Sequence, residues 1–191
     1  MGLLQQWSSE GFLTPEAAGK LSTYVDLLIE WNPRINLTGL TSRPEIVEIL
    51  VGESVLAARA VPLAGKSVLD LGSGAGIPGI IWAIIEPSID LTSLEIREKK
   101  VAFQKEAVRI LGLKIEVVRG LFPTAVAGRT FDLMVARAVR LTPPLMKQAA
   151  AMIKPGGAIL RFATVSENPD GWERIPVSKR TSLLRKTFSR L

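Results

Sequence analysis

The chain contains no cysteine and no histidine. Without cysteine it holds no disulfide, no thiolate metal site and no thiol nucleophile. Without histidine, no imidazole acts as base, acid or ligand. No side chain then has an ordinary pKa between about 6 and 8, and activity is expected to change little across that range. Long apolar runs are also missing. The longest, near Ile80, falls far short of the roughly 20 residues that span a bilayer. No basic segment followed by an apolar stretch opens the chain, so no export signal is read and the expected compartment is the cytoplasm. Acidic charge is the scarcer sign, with 18 acidic against 24 basic residues and a net charge of +6. That excess is uneven. From Gly171 to Leu191, Arg174, Lys179, Arg180, Arg185, Lys186 and Arg190 stand against Glu173, a net of +5 that leaves about +1 for the rest. A basic tail on a near-neutral body points to a polyanion such as nucleic acid. The other reading is a solvated surface that keeps the protein soluble.

What is present centres on Ser67 to Trp82, SVLDLGSGAGIPGIIW. A short apolar run leads through Asp70 into Gly72, Gly74, Gly76 and Gly79, and an apolar helical stretch follows with Pro78 suited to its first turn. Glycine lets the backbone turn through positive φ and leaves no Cβ between chain and ligand. The helix start behind such a loop offers unpaired N–H groups and partial positive charge. Gly74 to Gly79 alone also satisfies the dinucleotide GxGxxG pattern, so its spacing is ambiguous. Asp70-Leu71-Gly72-Ser73-Gly74-Ala75-Gly76 looks like the first motif of S-adenosylmethionine-dependent methyltransferases.

At 191 residues and 47% hydrophobic content, the chain reads as one globular domain, residues 1–191. After a weak lead-in, Thr14-Pro15-Glu16 opens a helix. Its apolar face is Leu21, Tyr24, Leu28 and Trp31, and Pro33 is expected to end it. A second helix is expected from about Pro44 to Ala60. Together they make a helical N-terminal cap over residues 1–62. From residue 63 onward strands and helices alternate, which predicts an α/β fold with a mostly parallel, doubly wound sheet. Strands are placed near 67–71, 91–95, 115–118, 131–136 and 158–163, and helices near 78–85, 98–111 and 142–152. The tail from Trp172 is read as a closing hairpin.

Glu95 ends the second strand 21 residues beyond Gly74, where an acid accepts hydrogen bonds from ribose hydroxyls. Arg137 follows the strand Phe131 to Ala136 and should emerge at the same edge, able to hold a carboxylate or phosphate. The alternative is a structural pair with Glu95 or Asp132. Arg97, Lys99 and Lys100 open a helix against its dipole, which mildly favours a phosphate partner. Trp31, Asn32 and Asn36 could stack on and hydrogen-bond to a base.

The elements Trp31-Asn32…Asn36-Leu37-Thr38, Val68 to Ile80, Glu95…Lys99-Lys100…Phe103, Phe131-Asp132…Arg137-Ala138 and Lys154-Pro155-Gly156-Gly157 occur in one order. That order resembles the glucose-inhibited division protein B family, bacterial small-subunit ribosomal RNA guanine-N7 methyltransferases. The resemblance covers about residues 14–163. It implies a Rossmann-like class I methyltransferase domain, S-adenosyl-L-methionine as cofactor and no metal. The implied partner is small-subunit ribosomal RNA or the assembling subunit, acted on by a monomer. It further implies that Asp70, Gly72, Ser73, Gly74, Gly76, Pro78, Glu95, Ile96, Leu121, Phe122 and Arg137 bind the cofactor. Asn36 and Arg137 would act at the reaction centre, and Trp31, Asn32, Arg34, Glu53, Ser54, Lys179, Arg180, Arg185 and Lys186 would meet RNA.

Three departures stand out. The family's His-x-x-Asp-Ser element is here Leu50-Val51-Gly52-Glu53-Ser54, its Arg-Ala-Glu after the third strand is Leu121-Phe122-Pro123, and a lysine after the fifth strand falls at Ala163. The implied chemistry suits the composition. Guanine N7 carries a lone pair and no proton, so methyl transfer to it needs alignment rather than a base. The alternatives are a methyltransferase with another substrate, a dinucleotide oxidoreductase, and a non-catalytic RNA-binding relative.

Overall fold

The computed structural model describes residues 2–189. Arg190 of the basic tail therefore lies outside the described residues. The weak lead-in contains a short helix, α1 (Leu3–Ser9), that buries Leu4. Its Trp7 packs on Phe12 with ring centroids 5.1 Å apart. Two turns are too few for a periodic pattern to register.

Helix α2 (Pro15–Ile35) starts as expected, the Thr14 hydroxyl accepting from the Ala17 N–H at 3.1 Å. The expectation that Pro33 ends it is corrected. Proline removes one intrahelical bond in the last turn, but the Asn36 N–H still reaches the Asn32 carbonyl at 2.9 Å. Asn36 then closes the helix in the left-handed region at φ 51. The second cap helix is continuous but not uniform. Helix α3 (Arg43–Glu45) passes through a π-helical segment (Ile46–Gly52) into α4 (Glu53–Arg59).

The alternating part forms strands β1 (Ser67–Leu71), β2 (Asp90–Glu95), β3 (Ile115–Arg119), β4 (Phe131–Ala136) and β5 (Ile153–Thr164), all mutually parallel where paired. Helices α5 (Gly79–Ile85), α6 (Glu98–Leu111) and α7 (Pro143–Ala150) connect them. The tail forms the expected hairpin, β6 (Glu173–Pro176) and β7 (Thr181–Thr187), with β7 antiparallel to β5. The seven strands lie in the order β3-β2-β1-β4-β5-β7-β6. The chain reverses direction across the sheet between β1 and β4, so a crevice opens there beyond the strands' carboxyl ends. Thr164 at the end of β5 pairs with Thr181 at the start of β7, so the β6–β7 turn shares that edge.

Successive residues of β1 face opposite ways. Val68 packs with Ala57 and Trp82 of the α4–α5 layer, whereas Leu69 packs with Ala149 and Met152 beside α7. Cap and sheet layers share one cluster, in which Leu21, Tyr24 and Leu28 of α2 meet Ile80, Ile81 and Phe103. The fully buried Tyr24 also donates its hydroxyl to the Ala75 carbonyl in the glycine loop at 2.8 Å. Tyr24→Phe strands that carbonyl. It should cost about 1–3 kcal/mol, seen as a lower urea midpoint at unchanged slope; an unchanged midpoint would mean that water replaces the hydroxyl.

Candidate functional site

A cavity of about 410 Å³ opens at the carboxyl edge beside the β1–β4 crevice. Its wall is assembled from Gly72, Ser73 and Gly74 after β1, Glu95, Ile96 and Arg97 after β2, and Arg137 and Ala138 after β4. Ala75 and Ile77 further along the glycine loop, Leu37 and Thr38 after α2, Leu50 in the π segment and Lys100 on α6 complete it. The volume suits a small-molecule ligand.

The glycines do different work. Gly72 and Gly74 sit at φ +67 and +61, and a Cβ on Gly74 would meet nothing nearer than the Lys100 Nζ at 3.9 Å. At Gly74 the loop is therefore open backbone, whereas a Cβ on Gly72 would lie 2.7 Å from the Val139 side chain. Gly76, at φ +83, is buried, and a Cβ there would lie 2.4 Å from the Ile80 side chain. Pro78 is buried at the cap position, one residue before α5 begins. Gly76 and Pro78 therefore shape the loop from behind and do not line the cavity.

Glu95 holds the loop open. One carboxylate oxygen accepts the Gly74 N–H at 2.9 Å, and the other accepts those of Ile96 and Arg97, both at 2.8 Å. Carboxylate lone pairs exceed these three bonds, so an acceptor site is left beside the cavity. Gln104, which sequence reasoning missed, is fully buried and donates to the Ser73 hydroxyl and the Gly74 carbonyl, both at 2.8 Å. Its own carbonyl accepts from Ser93 at 2.6 Å. Ile96 and Leu121 are unusually exposed for large apolar residues, at 51% and 64%. Both follow strand ends at the cavity's edge, although Leu121 is not part of its wall. Phe122 packs into the core on the α7 side.

Arg137 is brought to the cavity, but its partner is neither Glu95 nor Asp132. It donates to Glu53 at 2.8 Å and to the Ile49 carbonyl at 3.3 Å, with Phe162 beneath its guanidinium at 4.9 Å. Burial lowers its pKa, and the Glu53 charge opposes that. Its Nη1 is buried without a partner. Ala138 then takes φ 58, a strained turn for a residue with a Cβ. Glu53 and Ser54, expected to meet RNA, are corrected. Glu53 is 6% exposed and hydrogen-bonded through both oxygens, while Ser54 is fully buried and donates to the Leu50 carbonyl at 2.6 Å.

Asn32 clamps the loop that follows α2, accepting from the Thr38 N–H at 2.9 Å and donating to the Leu40 carbonyl at 3.1 Å. Trp31 packs edge-on against Phe103 at 5.8 Å. Both are therefore engaged in shaping the wall. Asn36 is exposed, next to the wall residue Leu37, and Arg34 is exposed two residues earlier. The four tail cations separate. Lys179 and Arg180 are exposed in the β6–β7 turn at the cavity's edge of the sheet. Arg185 lies within β7, bidentate to Glu173 at 2.8 Å for each bond, and Lys186 lies over Trp172 at 6.0 Å.

Two strand acids differ in protonation, the fully buried Asp70 and the partly exposed Asp132. Burial raises Asp70 to about 7, against one hydrogen bond from the Gly79 N–H at 2.9 Å and with Glu95 adding repulsion. Burial would raise Asp132 as well, but Ser67 and Lys154 donate to it and bring it down to about 2. Asp70 thus titrates near 7 in a chain whose ordinary side-chain pKa values leave the range from 6 to 8 empty, and it sits behind the loop and not in the cavity wall. Among the described residues, no group of acids that could hold a metal was found.

Comparison with known proteins follows this geometry. A family model described as rRNA small subunit methyltransferase G matches residues 17–168. Ribosomal RNA small subunit methyltransferase G of Moorella thermoacetica is 38% identical over 78% of this chain and 65% of its own length. The protein of that name from Geobacter metallireducens is 37% identical over 78% of this chain and 68% of its own. The chain thus spans about two thirds of the length of these relatives. Among solved structures, a methyltransferase from Pyrococcus furiosus superposes with TM-score 0.59 at 13% identity, covering 91% of this chain and 100% of that one. A Thermus thermophilus 16S rRNA N2 G1207 methyltransferase, solved with AdoMet and guanosine, gives 0.57 at 18% identity over 74% and 43%. At such identities these two establish the α/β methyltransferase fold alone.

Asp70 makes stability pH-dependent in a defined direction. Its folded pKa lies above its ordinary 3.8, so its contribution is full below about pH 4 and is lost as pH rises to about 7. Unfolding free energy should fall by about 2–3 kcal/mol between pH 5 and 8, flattening above 7. Asp70→Asn should remove most of that slope in urea titrations at each pH; a slope that survives places the titrating group elsewhere.

Proposed function

We propose, for a chain that belongs to the rRNA small subunit methyltransferase G family, that it transfers a methyl group from S-adenosyl-L-methionine to guanine N7 in small-subunit ribosomal RNA. We read residues 1–191 as one methyltransferase unit, with 1–62 as its helical cap and the assembling subunit or its RNA as partner. The carrying observation is the wall itself, where the open backbone at Gly74, the spare acceptor on Glu95 and Arg137, whose Nη1 is buried without a partner, line one cavity. These groups fit a ligand with a hydroxylated sugar and an anionic end. When bound, the cofactor supplies an electrophilic methyl on a sulfonium.

Glycine-loop C=O groups would face the methionine end, Glu95 would hold the ribose hydroxyls, and Ile96 with Leu121 would flank the base. Arg137 would meet a carboxylate or the guanine carbonyl with its unused nitrogen. Leu50 stands in the wall where the family places a histidine. An apolar residue there leaves no base, and N7 asks for none because it bears no proton to remove. The residues then act by alignment and by excluding water.

Calorimetry should show S-adenosylhomocysteine binding that Gly74→Val abolishes, because a branched side chain at φ +61 is strained and projects into the cavity. Methyl-labelled cofactor should mark small-subunit RNA at a guanine that becomes cleavable by aniline after borohydride reduction. Label at a position resistant to aniline would move the target off N7, and tight NAD binding would favour the oxidoreductase.

Lys179 and Arg180 are the tail cations offered to RNA. Changing both to Ala should lower the log–log salt slope of RNA binding by about 1.5. Changing Arg185 and Lys186 should leave it unaltered; equal effects from the two pairs would restore the whole tail as the contact.

A further inference from the structure

The turn between β6 and β7 faces two ways. Lys179 and Arg180 are exposed, while the residues on either side of them turn inward to a single carboxylate. Ser178 and Thr181 donate to one oxygen of Glu53 at 3.1 and 2.6 Å, and Arg137 donates to the other at 2.8 Å. The Ser178 hydroxyl also accepts the N–H groups of Arg180 and Thr181, at 3.1 and 3.0 Å, so the group that reaches Glu53 is itself the cap of the turn. These partners are 84 to 128 residues apart in sequence.

We propose that Ser178 and Thr181 are positioning residues that fix the Arg137 guanidinium beside the cavity, acting through Glu53. Their role in catalysis rests on the methyl-transfer reading above. The physical reason lies in the burial of the pair. A carboxylate with only 6% exposure needs partners on both oxygens, and Arg137 occupies just one. The two hydroxyls fill the other. Without them Glu53 is under-satisfied and free to turn, and its hold on Arg137 weakens. Arg137 has one other acceptor, the Ile49 carbonyl at 3.3 Å, which alone does not select a single orientation. The same four-residue turn therefore presents cations outward and sets the cleft arginine inward.

The informative variant is Ser178→Ala with Thr181→Val, because Glu53→Ala would leave a buried guanidinium unpaired and threaten the fold. Nitrogen-15 NMR of the cofactor-free protein should resolve separate Nη signals for Arg137, assigned by their loss in Arg137→Lys. In the double variant those signals should average through free rotation about Nε–Cζ. Single-turnover methyl transfer should fall roughly 10-fold or more. That loss should vanish in an Arg137→Ala background, while any effect on Tm persists. Unaltered Arg137 signals in the double variant overturn the proposal, as does a rate loss that remains without Arg137. If the wild-type protein methylates no small-subunit RNA, the methyl-transfer reading fails by itself, and the Arg137 signals still decide whether the turn fixes that side chain.

Discussion

A glycine loop can face a ligand with bare backbone only if something else holds it still. Here that constraint is Glu95. Its carboxylate ties the Gly74 N–H to those of Ile96 and Arg97, joining the loop after β1 to the turn after β2. The Leu94 carbonyl adds bonds from Gly72 and Ser73 at 2.9 and 3.1 Å. Gln104 of α6 fastens the same loop from the core side. Each glycine ordered in such a loop costs more backbone entropy than an alanine would. The bonds to β2 and α6 offset that cost and leave one face of the loop free. The cavity lies against that face, between the loop and the turns that follow β2 and β4.

Much of this was legible because it is local. The ranges 67–71, 98–111 and 131–136 coincide with β1, α6 and β4, each set by an apolar period and a turn residue beside it. Glu95 was found from its distance to the glycines. Gln104 carried a signal that went unused, since it stands in line with Val101, Ala107 and Leu111 on the buried stripe of α6. A polar residue on such a stripe needs a buried partner. Glu53 was not legible in the same way. Its partners come from β4 and from the β6–β7 hairpin, and no local pattern announces them. The tail's charge count was right as a sum and uninformative about direction, because hairpin pairing turned Arg185 onto Glu173.

The two strand aspartates make the same point in energetic terms. Asp70 and Asp132 occupy similar places in sequence, each followed by a leucine inside a strand. Their protonation differs by about five pKa units, from about 7 to about 2. Asp132 collects donors from Ser67 and Lys154, whereas Asp70 has the Gly79 N–H and one oxygen without a partner. Asp70 is fully buried and Asp132 partly exposed, so burial and donor count together decide the charge, and both belong to the tertiary structure.

The cap also does more than cover the sheet. Tyr24 reaches the loop carbonyl of Ala75, and the π segment places Leu50 in the cavity wall while its Ile49 carbonyl receives Arg137. Irregular helical turns of this kind often occur at functional sites because they redirect a side chain and leave a carbonyl accessible. Here the redirected side chain is apolar, at the position where the family has an imidazole. With no imidazole in the wall and a buried arginine held by a carboxylate, the site's main chemical resource is fixed geometry. On the methyl-transfer reading, an electrophilic methyl and an unprotonated nitrogen require just that, whereas a substrate that must lose a proton first would meet in this wall the Glu95 carboxylate, which already holds three N–H groups.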